Sequence, residues 1–201
     1  LFGAIPETVY ASTSTSTCYG TDSSAMLHMD GTDGATTFTD SSDDANTYTV
    51  QANAQIDTAQ SKFGGASYLG DGTGDFISTG SGAEFTIGTG DFTLDYWVRQ
   101  NTLGEHFIGV VESGGCSQFC LAIQFASPAS PETFHLWKDG GDTTRNFDAS
   151  TGTWYHVAWT RSGTDMRFFV DGTQIGATIT DSSNIDANAG FVVGAYDAVN
   201  F

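Results

Sequence analysis

Basic residues are scarce in this chain of 201 residues: six Lys and Arg stand against 24 Asp and Glu, for a net charge of −18. A surface so poor in positive charge repels phosphate backbones and anionic lipid headgroups, so nucleic acid and membrane surfaces are poor partners. Long apolar runs are missing as well. No stretch approaches the ~20 residues of a membrane-spanning helix, no leader is visible at Leu1, and the chain is expected to be soluble, without membrane insertion. Cysteine is limited to Cys18, Cys116 and Cys120, too few for a disulfide framework, and the odd number leaves at least one unpaired within the chain. Cys116 and Cys120 bridge only if their Cα atoms come within ~4.4–6.8 Å. Without a nearby His or second Cys pair they fall short of a zinc signature, and structural cysteines, buried or bridged, are the expectation. The redox compartment stays open.

Glycine is abundant instead, at 25 positions, and 19 of the 24 acids are Asp, whose short carboxylate closes Asx-turns and is also a hard-cation ligand. Residues 1–23 are expected to form an extension: a mildly apolar Leu1 to Tyr10, then the low-complexity linker Ala11-Ser-Thr-Ser-Thr-Ser-Thr17, which cannot bury enough apolar area to fold alone. Residues 24–201 form one domain. Its expected strands are Ala25 to Asp30, Tyr48 to Gln51, Ser67 to Leu69, Phe76 to Ser78, Phe92 to Gln100, His106 to Glu112, Phe119 to Phe125, Thr133 to Lys138 and Phe191 to Ala195, together with the hairpin Trp154 to Ile175. In that hairpin β-branched and aromatic residues alternate. Ser162-Gly163 makes the first reversal, and Asp171-Gly172 is the dipeptide favoured where both central positions of a type I′ turn need positive φ. No helix of two turns suggests itself, so the fold class is all-β, with turns at short intervals as between the strands of a sandwich or barrel.

The strand from Phe92 shows how such a sheet packs. Phe92, Leu94, Tyr96 and Val98 share one face; Thr93, Asp95, Trp97 and Arg99 share the other. Trp97 therefore either floors a binding surface or is covered by a crossing loop.

The succession Met26-Leu-His-Met-Asp-Gly31, Thr37-Phe-Thr-Asp-Ser-Ser42, Ala59-Gln-Ser-Lys-Phe-Gly-Gly-Ala-Ser67, Gly70-Asp-Gly-Thr-Gly-Asp-Phe-Ile77, Gly88-Thr-Gly-Asp-Phe-Thr-Leu-Asp-Tyr-Trp-Val98 and the hairpin resembles laminin G-like domains of the concanavalin A-like lectin/glucanase superfamily. The resemblance runs from about residue 25 to the end. It implies a jelly roll of two curved antiparallel sheets, with ligands on the concave face or at loops along one edge. Members of that family close the sheet with a strand after the Gly190-Phe-Val-Val-Gly194 segment, and this sequence stops at Phe201. The missing strand is expected either from a longer parent chain or from the Phe2 to Tyr10 extension of a neighbouring copy, which would make a homo-oligomer.

Glucanases of that superfamily set two carboxylates about 5–5.5 Å apart from a Glu-x-Asp-x-x-Glu run. Here Glu7, Glu84, Glu105, Glu112 and Glu132 stand alone. Sialidase-like chemistry needs converging arginines, and Arg99, Arg145, Arg161 and Arg167 are nearly all the basic residues there are. His28, His106, His135 and His156 lie in strand-like contexts with no activated nucleophile beside them. No catalytic residue is assigned, and the expectation is a non-enzyme.

What the resemblance implies is recognition: a lectin-like adhesion module on an extracellular or virion surface, binding glycans or surface polysaccharide, with Trp97, Trp137 and Tyr196 as candidates for stacking on sugars. The alternative is a structural decoration or appendage subunit without a glycan ligand. Calcium is the one cofactor considered. In related domains a site lies near the Thr37 to Ser42 motif, which makes Asp30, Asp33 and Asp40 candidate ligands, with Asp71 and Asp75 a second group. Calcium takes six to eight oxygens, and Asp carboxylates with loop carbonyls supply them. If these aspartates hold the ion in the folded state only, calcium raises the thermal unfolding midpoint, and a titration followed by melting in which the midpoint stays fixed removes the assignment.

Overall fold

The computed structural model describes residues 23–71, 74–80, 82–102, 106–111, 119–125, 132–138, 141–185 and 190–194. Fourteen short strands carry almost all of the regular structure: β1 (Thr49–Gln51), β2 (Gln55–Asp57), β3 (Ser67–Leu69), β4 (Phe76–Ser78), β5 (Phe92–Arg99), β6 (His106–Val111), β7 (Phe119–Phe125), β8 (Glu132–Lys138), β9 (Gly141–Phe147), β10 (Trp154–Ser162), β11 (Asp165–Val170), β12 (Thr173–Gln174), β13 (Ile179–Thr180) and β14 (Phe191–Gly194). A single turn of 3₁₀-helix lies at Ala83–Phe85. One sheet has the order β1-β4-β14-β6-β7-β8-β9 and the other β12-β11-β10-β5, with β13 also on β11, while β2 and β3 form a separate pair. All pairings are antiparallel. The architecture is an all-β jelly-roll sandwich.

Alternation decides which side chains fill the space between the sheets. On β10 the residues Val157, Trp159 and Arg161 point inward, and on β11 Met166, Phe168 and Val170 do; all six are buried. The opposing sheet contributes Leu121, Ile123, Phe125, Phe134 and Leu136. Phe134 joins the layers, with ring centroids 4.2 Å from Phe125 in its own sheet and 4.9 Å from Phe168 across the core. Burying each such side chain stabilises the fold by ~1.5–3 kcal/mol.

The hairpin forms as expected, with one adjustment. Ser162 pairs with Asp165, so the first two-residue turn is Gly163-Thr164 rather than Ser162-Gly163. Only Gly163 has positive φ there, at 60°, as a type II′ turn requires. At the second turn Asp171 and Gly172 have φ of 47° and 76°, the type I′ pattern. Asp171 then clamps the strand end: its N–H donates to the His156 carbonyl at 2.8 Å, and its Oδ1 accepts the His156 N–H at 2.9 Å.

Two expectations are corrected. Ala25 to Asp30 is not a strand; it makes one isolated bridge, Leu27 with Asp40, because Met29 turns to φ 57° and breaks the extended run. Strands β2, β9 and β13 were not foreseen. The sequence Gly-Asp-Thr-Thr-Arg-Asn-Phe of β9 is poor in strand formers, and its extension is imposed by a seven-pair ladder with β8.

Arg161 is the unusual member of the core, 2% exposed. Its guanidinium donates to three carbonyls, Gly90 at 2.6 Å, Gly88 at 2.7 Å and Ser183 at 3.1 Å, and its Cζ lies 5.4 Å from the Phe92 ring centroid. Gly88 in turn forms a bridge with Ile185. A charge taken out of water at this depth persists only if its donors are satisfied. Replacing Arg161 with Leu removes the guanidinium donor from the Gly90 and Ser183 carbonyls, while the Gly88 carbonyl keeps the Ile185 N–H at 2.8 Å, and a loss of ~1–3 kcal/mol in urea-induced unfolding is expected, above the cost of an ordinary surface change.

Candidate functional site

The outward face of β5, β10 and β11 carries the most distinctive surface. Register sets Trp97 opposite His156, Asp95 opposite Ala158, and Arg99 opposite Trp154; on the far side Ala158 meets Phe169 and Thr160 meets Arg167. These residues share a face because side chains alternate along a strand. Trp97 is 37% exposed and Phe63 66% exposed, the two large apolar side chains that stand out at the surface among the described residues. They are neighbours. Their ring centroids lie 5.7 Å apart at 84°, forming a right-angled corner.

Phe63 arrives on the loop between β2 and β3, which crosses this face. Three contacts fix that loop. Asp33 Oδ1 accepts both the N–H and the hydroxyl of Thr58, at 3.1 and 3.2 Å, and Ser67 Oγ donates to the Gln60 carbonyl at 2.8 Å. Gly64, at φ 66°, packs so closely on the Asp30 carboxylate that a Cβ there would collide with it. The loop also brings Lys62, whose ammonium lies 4.0 Å from the Trp97 ring centroid and 5.9 Å from that of Phe63.

Below the corner, His156 Nε2 and Asp95 Oδ2 are 2.9 Å apart. A carboxylate only accepts, so Nε2 carries the hydrogen. The pair fixes the imidazole, whose centroid lies 5.2 Å from that of Trp97. Trp97 is thus held by His156, Phe63 and Lys62 while keeping a third of its surface open. A loop does cross Trp97, which still faces solvent. Arg99 is oriented by the Gly152 carbonyl at 3.1 Å and by Asn101 Oδ1 at 2.5 Å. The arginines do not converge: Arg161 is buried in the core, Arg167 pairs with Asp165 at 2.5 Å, and Arg145 donates to the Thr144 and Ala177 carbonyls.

The other stacking candidates are Trp137 and Tyr196. Trp137 is in β8 of the opposite sheet, in register with Ala122 and Asp142, and Tyr196 lies outside the described residues, as do Cys18 and Cys116. Phe63, Lys62 and the Asp95–His156 contact were not foreseen. The signal was present in outline: an aromatic next to Gly64-Gly65 in a polar loop, and Asp95 on the same face as Trp97.

The five aspartates considered for calcium lie in three settings. Asp30 and Asp33 hold the Phe63 loop, as described. Asp40 Oδ1 accepts the N–H groups of Met26 and Ser42, at 2.9 and 2.8 Å, and its Oδ2 accepts the backbone N–H and side-chain amide of Asn46, at 3.2 and 2.8 Å. Asp75, 2% exposed, accepts the N–H groups of Asn53 and Asp71, both at 2.6 Å. With Asp71, Asn53 and Gln55 it lines a depression of about 420 Å³. Beside it, burial pushes the Tyr68 hydroxyl well above its usual range, and the charges of Asp75 and Asp71 add to the effect; the neutral phenol donates to the Asp75 carbonyl at 3.0 Å. Among the described residues no three His, Cys, Asp or Glu side chains gather as a metal site.

The model of a family described as the concanavalin A-like lectin/glucanases superfamily matches residues 71–200. Domain 4 of AbnA, an extracellular arabinanase from Geobacillus stearothermophilus solved with arabinotriose, is similar at 15% identity and a TM-score of 0.56, covering 78% of this chain and 77% of that one. Carbohydrate-binding module CBM66 from Bacillus subtilis is similar at 15% identity and a TM-score of 0.43, covering 73% and 87%. Domains LG4-5 of the mouse laminin alpha1 chain are similar at 17% identity and a TM-score of 0.43, covering 57% of this chain and 30% of that one. No curated protein matches the chain in sequence.

The Asp40 clamp gives a pH dependence. Burial works to raise its pKa, but the hydrogen bonds from Ser42, Asn46 and Met26 outweigh it and hold the carboxyl below its ordinary 3.8. A depressed carboxylate stabilises the fold fully above the unfolded value and ceases to do so as pH falls through the folded one. Asp40→Asn is expected to cost ~1–3 kcal/mol at neutral pH. The gap from the parent should narrow below about pH 4 in urea unfolding, and a gap constant down to pH 2.5 contradicts the clamp.

Proposed function

We propose that this chain, which belongs to the concanavalin A-like lectin/glucanases superfamily, is a non-catalytic, lectin-like recognition module displayed on a virion, fibre or cell surface, and that it takes its glycan on the Trp97–Phe63 corner. The observation that carries this reading is the corner itself: two exposed aromatic rings 5.7 Å apart and at right angles. Sugar rings present apolar C–H faces that stack on aromatics and hydroxyls that need polar partners. The corner supplies the first, and His156, Asp95, Lys62 and Arg99 around it supply the second.

Preorganisation favours binding. Trp97 and Phe63 are braced before any ligand arrives, so less side-chain freedom is lost on association. Binding is favoured over hydrolysis because the carboxylates on this face, Asp95 and Asp165, are each engaged by a basic partner, His156 at 2.9 Å and Arg167 at 2.5 Å. The arabinotriose bound by the similar arabinanase domain is consistent with sugar recognition on this fold, although a fold hosts many functions and the argument rests on the corner.

Trp97→Ala should weaken glycan binding about tenfold or more, as loss of a stacking aromatic does, with the circular dichroism spectrum and melting midpoint retained. Isothermal titration against ligands first identified on a glycan array measures it. Unchanged affinity in the variant removes the corner as the site, and a silent array together with ordered self-assembly favours a structural subunit.

A further inference from the structure

The basic residues, so few in this chain, are unevenly placed. Of the six, Lys62, Arg99 and Arg167 lie around the Trp97 face, whereas Arg161 is spent inside the core and Arg145 is engaged by the Thr144 and Ala177 carbonyls. Arg167 is neutralised by Asp165. Lys62 and Arg99 meet no carboxylate among the described residues: Lys62 rests over Trp97 and Phe63, and Arg99 is held by a carbonyl and an amide oxygen. In a chain with 24 acids, two cations free of carboxylates beside one exposed indole are a local exception to the surface as a whole. Arg99 follows Trp97 by two residues on the same face of β5, about 7 Å along the strand.

From this arrangement we propose that the ligand of the corner is an anionic glycan, one whose sugar units carry carboxylates or sulfates, and that Lys62 and Arg99 determine this choice. The proposal rests on the reading of Trp97 as the stacking residue. Lys62 gives it a mechanism of discrimination. With no ligand its ammonium covers part of the Trp97 ring, so a neutral sugar stacking there must displace a cation from the π face and gives it nothing in return. An anionic sugar offers the displaced ammonium an ion pair, while the Arg99 guanidinium, already oriented, can accept a second contact in a planar, forked geometry.

The net charge of −18 does not oppose this. Beyond about 8 Å the repulsion is screened at physiological ionic strength. What it disfavours is a polymer as densely charged as duplex DNA, with one charge per ~1.7 Å; a glycan with one charge per sugar unit can place a single anion between the two cations.

The test uses the chain with three probes, polygalacturonate oligomers for carboxylates, heparin oligosaccharides for sulfates and dextran as the neutral polymer, by isothermal titration. At least one of the two anionic probes is expected to bind more tightly than dextran. Lys62→Gln should weaken that binding about fivefold and strengthen dextran binding about twofold, an opposite pair of shifts that a merely destabilised fold does not give. Arg99→Gln should weaken the anionic probe alone, and Arg167→Gln should leave all three unchanged. Raising NaCl from 50 to 500 mM should shrink the ratio between parent and Lys62→Gln. Equal affinities for the three probes, binding to none of them, or parallel losses in Lys62→Gln each overturn the proposal. If binding survives in Trp97→Ala, the stacking reading fails instead, and the two failures are told apart by which variant moves.

Discussion

The buried guanidinium of Arg161 ties together three parts of the chain. It sits on β10 opposite Phe92, and its three donors end on Gly88, Gly90 and Ser183. These carbonyls belong to the segment entering β5 and the segment that leads toward β14, so one side chain fixes where the two sheets exchange chain. Asp91 completes the arrangement from the next position, its Oδ1 accepting the Gly163 N–H at 2.7 Å and closing the hairpin turn onto the start of β5. The run Gly88-Thr-Gly-Asp91 thereby acquires a physical explanation. Gly88, at φ 63°, adopts a backbone that other residues resist, and its carbonyl and that of Gly90 are turned toward the cation. A hydrocarbon at position 161 would pack, but it would leave the Gly90 and Ser183 carbonyls without this donor.

From this anchored β5–β10 ladder follows the rigidity of the outer face. Strand positions 95, 97 and 99 are fixed by eight register pairs, and the loop from β2 to β3 is fixed separately, by Asp30, Asp33 and Ser67. The Trp97–Phe63 corner lies where these two units meet, with Trp97 from the sheet and Phe63 from the loop. Sites built on strands are held more exactly than sites on loops, whereas loops tolerate change. This face combines both, a floor set by strand pairing and a side wall carried by a loop.

The sheet architecture was legible in the sequence because two periodicities agree: alternation over Phe92 to Arg99 and Trp154 to Val170, and glycine at the turns. Asp171-Gly172 was legible to the dihedral angle. What escaped was of two kinds. Strand β9 and the loss of extension at Met29 depend on neighbours, since Gly141 to Phe147 has little strand propensity of its own and Met29 has no reason within its own segment to take positive φ. The corner escaped because Phe63 and Trp97 are 34 positions apart in sequence, and no local pattern says that a Gly-rich loop crosses that strand. The aspartates are ambiguous in sequence for a different reason. Their spacing is compatible with calcium and equally with clamping backbone, and it does not name the partners.

Those partners show why aspartate outnumbers glutamate here. Asp33, Asp40, Asp75, Asp91 and Asp171 each accept backbone N–H groups that no strand neighbour reaches, at Thr58, at Met26, Ser42 and Asn46, at Asn53 and Asp71, at Gly163 and at His156. A fold of fourteen strands, several only two or three residues long, leaves many donors at strand ends, and each one left unpaired costs ~1–3 kcal/mol. The carboxylate of Asp reaches them with one methylene fewer to order than that of Glu. The acidity of the chain is then in part a consequence of its many reversals, and it carries little information about partners by itself. The basic residues, under no comparable structural demand apart from Arg161, are the more informative charges, which is why the position of Lys62 and Arg99 beside Trp97 says more about the ligand than the excess of aspartate does.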